Sequence, residues 1–346
     1  MKIAIYHKDT IGFFSERWIR YCEKNGILYK LVNPYSSSII DDVNDCDAFM
    51  WHFSNYDYRD ALFAKQLLTS LQVSGKKVFP DINTCWHFDD KVGEMYLLQA
   101  FDAPLVPSYV FYSKADALKW AENTSFPKVF KLRGGSGSSN VKLAKNKRQA
   151  KKFIKKAFSR SGYSQVDWWE LIKFRFVSWT HGRESFLGFC KSLIWFIVRD
   201  DYDRMHPHEK GYAYFQEFVP NNKFDIRVCV VAGRAFALKR MCREGDFRAS
   251  GGGRIVYEKN EIDERCVRIA LDVSKKLKTQ SVAFDFVFDE NNNPLIVEMS
   301  FGFAAHAYDK CQGYWEDDLT WHEGQNFDFC GWMVEDLISD EKASLI

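Results

Sequence analysis

Several things are missing from this chain, and each absence removes a class of protein. Its nine cysteines are scattered, odd in number and without a CxxC pair. That pattern indicates neither a disulfide framework nor a zinc site, and it favours reduced thiols in a cytoplasm. No GxGxxG follows the first strand-like segment, so dinucleotide binding is unsupported. The glycine-rich stretch near residue 134 lacks the Gly-Lys-Ser/Thr ending of a P-loop and no long helical pattern directly follows it. The apolar run at 192–198 lies between Lys191 and Arg199 and is too short to span a bilayer. The opening MKIAIYHKDT has too short an apolar run for a signal peptide and reads as a first strand. With 48 basic and 46 acidic residues the net charge is +2, so global charge makes no case for nucleic acid. Internal repeats and low-complexity tracts are also absent.

What is present is an ordinary packed chain of 346 residues, 46% hydrophobic, long enough for two or three structural units. Residues 1–88 alternate strand-like runs (KIAIYH, YKLVNP, DAFMWHF, KKVFP) with helical patterns (SERWIRYCEKNG, YRDALFAKQLLTSLQVSG). Such alternation predicts a parallel sheet covered by helices. Residues 89–125 read as helix, loop, strand and helix, a linker and central helical region. The stretch 142–160 contains no acidic residue, and Ala150, Phe153, Ile154, Ala157 and Phe158 share one helical face with lysines opposite. A less regular, aromatic-rich piece runs to about 212. Strand-like segments, a glycine-rich loop, a helix at 263–278 and a hairpin follow. Aromatic content is 16%, which fits sugar or lipid contact as well as bulky core packing.

The hairpin SVAFDFVFDENNNPLIVEMS carries the strongest signal. Centred between Asn291 and Asn292, it sets Asp285 opposite Glu298, where directly opposed Cβ atoms stand roughly 5 Å apart. Two carboxylates so placed repel unless one is protonated or a cation lies between them. Ser300 shares the face of Glu298, whereas Phe284, Phe286 and Phe288 point the other way, into a core. Oxygen ligands of this kind suit magnesium held together with substrate phosphates. A shifted register with solvated acids is the competing reading, and Asp289 and Glu290 near the turn fit it.

Five pieces occur in one order: Lys131 with the loop in VFKLRGGSGSSNVKL, QEFV at 216–219, DIRV at 225–228, REGDFRAS at 243–250 and the Asp285/Glu298 hairpin. This order resembles the ATP-grasp superfamily, in the branch of glutathione synthetases and ribosomal-protein glutamate ligases, over about residues 89–305. The resemblance implies an α/β (α+β) ATP-grasp fold with an N-terminal parallel-sheet preceding domain and an enlarged lid. Its boundaries would be 1–88 for the preceding domain, 89–125 for the linker, 126–215 for the lid with an insertion at about 150–212, 216–335 for the large subdomain and 336–346 for a tail. It implies ATP, with two Mg2+ ions, between two antiparallel sheets. Lys131 and Lys91 would contact the nucleotide, and Gly134, Gly135, Ser136, Gly137 and Ser138 would cover the phosphates. Gln216, Glu217, Phe218 and Val219 would form the adenine hinge, with backbone bonds from Glu217 and Val219, and Asp225 would lie on the nucleotide side. Asp285, Glu298 and Ser300 would hold metal, and Arg227, Arg240 and Arg248 would stand near the transferred phosphate and the acyl intermediate. Two departures are visible: serine occupies positions 250 and 300, where the family usually carries asparagine.

These parts match the joining of a carboxylate to an amine. Phosphorylation by ATP turns the carboxylate into an acyl phosphate, and the work of the protein is positioning and charge stabilisation. Arginine suits both carboxylate and phosphate through its planar fork. Each residue also has a plainer reading. Lys131 fits an exposed strand lysine, Arg227 fits a surface pair with Asp225, and Cys229 and Cys242 fit small apolar fillers. Arg240, in the largely apolar strand RAFALKRMC, is costly to bury without an anion.

The interval from Lys131 to Glu217 is longer than a lid sheet needs. An elaborated lid or a homodimer contact accounts for it. A surface at 145–200 for an anionic membrane or an acidic substrate is the sharper alternative. Expected substrates are a small-molecule or glycan carboxylate and an amine or amino acid, in surface-polysaccharide or natural-product biosynthesis. A kinase acting on a hydroxyl and a nucleotide-binding protein without turnover remain as alternatives.

Overall fold

The computed structural model describes residues 1–135, 140–164, 204–242 and 254–339, with isolated positions at 172, 176, 179, 180, 185 and 187. By internal contacts the chain forms two units, one of Met1–Ser54, Arg59–Val106 and Val219–Ile346, the other of Asn55–Tyr58 and Pro107–Phe218.

The first unit begins with a parallel sheet of order β2-β1-β3-β4, built from β1 (Lys2–Ile5), β2 (Leu28–Leu31), β3 (Ala48–Met50) and β4 (Lys77–Phe79). Short runs such as KIAI and AFM suit strands buried on both faces. Ile3, Ile5 and Met50 pack with Trp18 and Cys22 of α1 (Ser15–Lys24), whereas Ala4 and Phe49 pack with Ala64 and Leu68 of α3 (Tyr58–Val73). Two single-turn helices, α2 (Ile39–Asp42) and α4 (Ile82–Cys85), complete the connections. Then α5 (Lys91–Ala100) starts on Asp90, whose side chain accepts from the Gly93 N–H at 2.9 Å, an N-cap satisfying one of the orphan donors of the first turn.

The same unit contains a larger sheet. Its order is β13-β12-β9-β10-β14-β15, from β9 (Phe224–Val231), β10 (Arg234–Met241), β12 (Ser281–Phe288), β13 (Pro294–Ser300), β14 (Gly313–Trp315) and β15 (Trp321–Glu323), with β11 (Ile255–Val256) paired to β10. Strand alternation divides its residues cleanly. Ile226, Val228, Val230, Phe284 and Phe286 face helix α8 (Glu264–Leu277). Cys229, Val231, Phe236 and Leu238 face the other way, towards the core shared with α1 and α9 (Phe329–Ile338). Asp225, Arg227 and Arg240 lie on this second face, nearer the opposite end of their strands.

The second unit holds a four-stranded antiparallel sheet, β5-β8-β6-β7, from β5 (Ser108–Phe111), β6 (Lys128–Lys131), β7 (Val141–Ala144) and β8 (Ala213–Glu217). Helices α6 (Lys114–Asn123) and α7 (Lys147–Ala157) cover one face, where Ala117, Phe130, Ala150, Ile154 and Phe215 form the core. The basic stretch is thus helical as its periodicity predicts, capped by Asn146 on the Gln149 N–H. Lys147 and Lys151 pair with Glu122, and Lys152, Lys155 and Lys156 are exposed. No described helix is long and apolar enough to cross a membrane.

The aromatic C-terminal segment packs on itself. Trp332 lies flat against Phe327 (5.4 Å, 10°) with the Arg234 guanidinium 4.8 Å above its ring, and Tyr314 stacks on His322. These ring faces are engaged within the segment, which favours a packing role over sugar contact.

Candidate active site

In the first unit the hairpin delivers the predicted pairing: Asp285 lies opposite Glu298 and Ala283 opposite Ser300. The route differs from a simple hairpin. Phe286, Val287 and Phe288 pair with Ile296, Leu295 and Pro294, one step out of the expected register. The turn is set by Asp289, whose Oδ1 accepts from the backbone N–H groups of Asn291 and Asn293, so this solvated residue also has a structural task. An irregularity between Asp285 and Phe286 then absorbs the extra residue on β13 and restores the acidic pair.

Asp285 also lies opposite Arg227 on β9, so Glu298, Asp285 and Arg227 form one row across three strands. Asp285 Oδ1 accepts from Arg227 Nε at 2.5 Å, and Oδ2 accepts from Arg227 Nη2 at 2.7 Å, a two-pronged pair. Arg240 Nη2 stands 2.9 Å from the same Oδ2, and Arg240 also holds Asp225, its register partner on β9. Arg227 therefore does not pair with its chain neighbour Asp225; the sheet sends the two to different partners. Asp225 and Asp285 are 1% and 3% exposed. Burial would push Asp285 up, but Arg227 and Arg240 hold it below the usual carboxylate range. Asp225 is pushed up to about 6 by burial, opposed by its bond from Arg240 and reinforced by the charge of Asp285.

Glu298 has a cation of its own: Lys91 Nζ lies 3.3 Å from Oε1. Burial opposes the charge on Lys91, yet Glu298, Glu94 and Asp89 raise its pKa above the ordinary lysine value. The repulsion expected between the two opposed acids is thus met by three basic side chains, one on Glu298 and two on Asp285. Among the described residues no cluster of three or more His, Cys, Asp or Glu is arranged to hold a metal by itself.

Magnesium still fits the donors present. A carboxylate offers about four lone-pair sites. The arginines take three on Asp285, leaving one on Oδ1, and Lys91 stands at Oε1 of Glu298. Ser300 donates its hydroxyl hydrogen to the Gly302 carbonyl at 2.8 Å and keeps oxygen lone pairs. Few protein ligands plus phosphate oxygens is the usual magnesium arrangement.

The second unit holds the other candidates. Lys131 is 5% exposed and alternates away from the helix-covered face that Phe130 joins; Gln216 lies on the same side as Lys131. Tyr214 and Gln216 both bond Ser108 Oγ, at 3.2 and 3.1 Å. The glycine loop leaves β6 with Leu132 N–H donating to Asn140 O, and Gly135 sits at φ +115°, a conformation that needs glycine. Ser136, Gly137, Ser138 and Arg248 lie outside the described residues.

At the expected adenine hinge, the Glu217 N–H donates to Pro107 O at 2.8 Å. In an antiparallel pair the same residue's carbonyl points to the same neighbour, and Pro107 has no N–H to return the bond. The carbonyl of Glu217, and not its N–H, is the group suited to receive an adenine amine. Its side chain has a separate partner that sequence reasoning missed: Lys128, 2% exposed, gives both carboxylate oxygens hydrogen bonds of 2.7 Å. The signal was the register, which sets Lys128 opposite Glu217. Phe218 ends the second unit, and Val219 opens the last segment of the first.

Residues 209–313 match the RimK-like ATP-grasp domain. The chain has the ATP-grasp fold. Its structure is similar to the biotin carboxylase domain of 2-oxoglutarate carboxylase from Hydrogenobacter thermophilus, solved with magnesium ADP and bicarbonate (TM-score 0.58, 12% identity, covering 97% of this chain and 69% of that one). It is also similar to the RimK domain ATP-grasp protein of Sphaerobacter thermophilus (TM-score 0.54, 14% identity, 98% and 100% covered). D-cycloserine synthetase gives a TM-score of 0.59 at 13% identity, with 97% and 100% covered. No curated protein matches the chain in sequence. Within the ATP-grasp fold seen here, the N-terminal parallel sheet precedes two antiparallel sheets, in line with the organisation that the motifs imply.

Proposed function

We propose that this protein is an ATP-dependent, ADP-forming ligase that joins a carboxylate to an amine through an acyl phosphate. ATP-grasp enzymes are ADP-forming ligases, and the RimK-like match brings the chain towards that chemistry. The observation that carries the reading is the row Glu298–Asp285–Arg227 with Arg240 beside it. It sets acidic oxygens next to two arginines, as transfer of a phosphoryl group to a carboxylate requires.

In this reading Asp285, Glu298 and Ser300 hold magnesium, which when bound neutralises phosphate charge. Arg227 and Arg240 exchange part of their pairing with Asp285 for the anionic oxygens of the substrate, so no bare charge is buried at any stage. Lys131 holds nucleotide phosphates, and the Glu217 carbonyl accepts from adenine. A sugar acid, small acid or peptide as the carboxylate partner, and an amino acid as the amine, belong to the same proposal. The exposed basic side of α7 favours acidic acceptors or an anionic surface.

The test is ADP release across a panel of carboxylates, each with and without amines. A ligase requires both partners. A kinase would release ADP with a hydroxyl compound alone, and a non-catalytic binder would show thermal stabilisation by MgATP without release. Full turnover in an Asp285→Ala/Glu298→Ala variant would overturn the site assignment.

A further inference from the structure

In the second unit β6 ends with Lys131 opposite Val141 of β7 on one side and Tyr214 of β8 on the other. Successive N–H groups of a strand point to alternate neighbours. The chain keeps that alternation as it leaves the strand. Leu132 N–H donates to Asn140 O at 3.1 Å, on the β7 side, and Arg133 N–H turns to the β8 side. Tyr212, two residues before Tyr214, meets it there. The side chain answers and not the backbone: Tyr212 Oη accepts from the Arg133 N–H at 2.6 Å. The same hydroxyl donates to Glu209 Oε2 at 2.9 Å. A hydroxyl has one hydrogen to give, and with that hydrogen committed to a carboxylate its lone pairs are what it offers Arg133. Burial and the nearby Glu209 charge hold the phenol above its ordinary pKa, so the hydrogen stays in place.

Glu209 is itself held from behind. It is buried, and its backbone N–H and C=O exchange bonds of 2.8 and 2.9 Å with Tyr163. The Tyr163 ring packs 5.3 Å from that of Phe130, the residue before Lys131, and the Lys156 ammonium lies 4.4 Å from its centroid. Arg133 Nε stands 3.6 Å from Glu209 Oε1, a second tie to the same carboxylate. The exit of β6 is therefore anchored to the core of its own unit. The next residue, Gly134, is buried, and its carbonyl accepts from Asn140 Nδ2 at 3.4 Å. The Gly134 N–H has no hydrogen-bond partner among the described residues. A buried backbone donor without a partner is rare, and an oxygen of a ligand would satisfy it.

We propose that Tyr212, backed by Glu209, is a positioning residue for the nucleotide: it fixes the exit of β6 so that the Gly134 N–H is presented to a phosphate oxygen. This rests on the reading that the chain binds ATP. Tyr212 acts through Arg133 and does not itself touch the phosphate. Its hydroxyl sets where the glycine-rich stretch begins, and the carboxylate behind it sets which way that hydroxyl's hydrogen points.

The experiment uses the full chain labelled with 15N in arginine and glycine, with MgATP and adenosine as probes. In the native chain the Arg133 amide should exchange slowly, and the Gly134 amide should shift with MgATP and not with adenosine. In Tyr212→Phe, which keeps the ring, Arg133 exchange should accelerate. MgATP affinity should fall roughly tenfold, the scale of one lost hydrogen bond, with adenosine affinity unchanged. A merely structural role would weaken both probes alike. Unchanged MgATP affinity, equal weakening of both probes, or unaltered Arg133 exchange would each overturn the proposal. If the variant fails to fold, the native chain decides: fast Arg133 exchange, or no Gly134 shift while MgATP binds, would overturn it. A native chain that binds neither probe would overturn the ATP reading itself, whereas MgATP bound equally well by the variant would overturn only the part given to Tyr212.

Discussion

Replacing Arg240 with methionine tests the charge balance on which the site depends. The substitution keeps much of the stem's volume and removes the cation shared by Asp225 and Asp285. Asp285 retains the two-pronged bond from Arg227, but Asp225, at 1% exposure, loses the only ion-pair partner it has among the described residues. Breaking a buried pair in this way costs about 3–5 kcal/mol. For a cooperative unit of this size each kcal/mol shifts the melting temperature by roughly 2 °C, so a drop of about 6–10 °C is expected near neutral pH. The pH dependence follows from linkage. The folded pKa of Asp225, about 6, lies above its ordinary 3.8, so the fold holds the proton more tightly than the unfolded chain does. Its contribution to stability is therefore greatest below about pH 4 and declines as pH rises through 6. Without Arg240 the carboxyl is raised further and the decline continues to higher pH. The gap between native chain and variant should be small at pH 5 and large at pH 8. Adding Asp225→Asn should recover much of the loss at pH 8. Melting followed by circular dichroism at both values is the assay. Equal gaps at the two pH values, or no recovery in the double variant, would refute the reasoning.

In the second unit, Glu217→Ala strands the Lys128 ammonium. The cost should be roughly 2–3 kcal/mol, below that of a fully buried pair because Glu217 is 30% exposed, and Lys128→Met in the same chain should restore stability in chemical denaturation. Reversing Lys152, Lys155 and Lys156 to glutamate should lower melting only slightly, through loss of the Lys156 ammonium over the Tyr163 ring. Should the basic helix dock on an anionic bilayer, it should lower affinity for phosphatidylglycerol vesicles by a factor on the order of 10², at about 1 kcal/mol per lysine. Cosedimentation at low and high salt reads this, and native binding to phosphatidylcholine vesicles of equal strength would exclude an electrostatic surface.

Much of the architecture was legible in local pattern. KIAI, AFM and KVF announced buried parallel strands, and the turn DENNNP announced a hairpin whose arms oppose Asp285 and Glu298. Periodicity placed α7 because Ala150, Ile154 and Ala157 recur on one face. These features are legible because strand alternation, helical period and turn chemistry act over a few residues.

What only the tertiary structure decided is who neutralises whom. Spacing alone offers Arg227 a surface pair with Asp225, two residues away, yet the sheet hands it to Asp285 and hands Asp225 to Arg240. Lys91 reaches Glu298 from a helix some two hundred residues earlier in the chain, and Lys128 meets Glu217 across two strands. Charge pairing depends on distance in space and on the loss of water around it, and one-dimensional spacing reports neither.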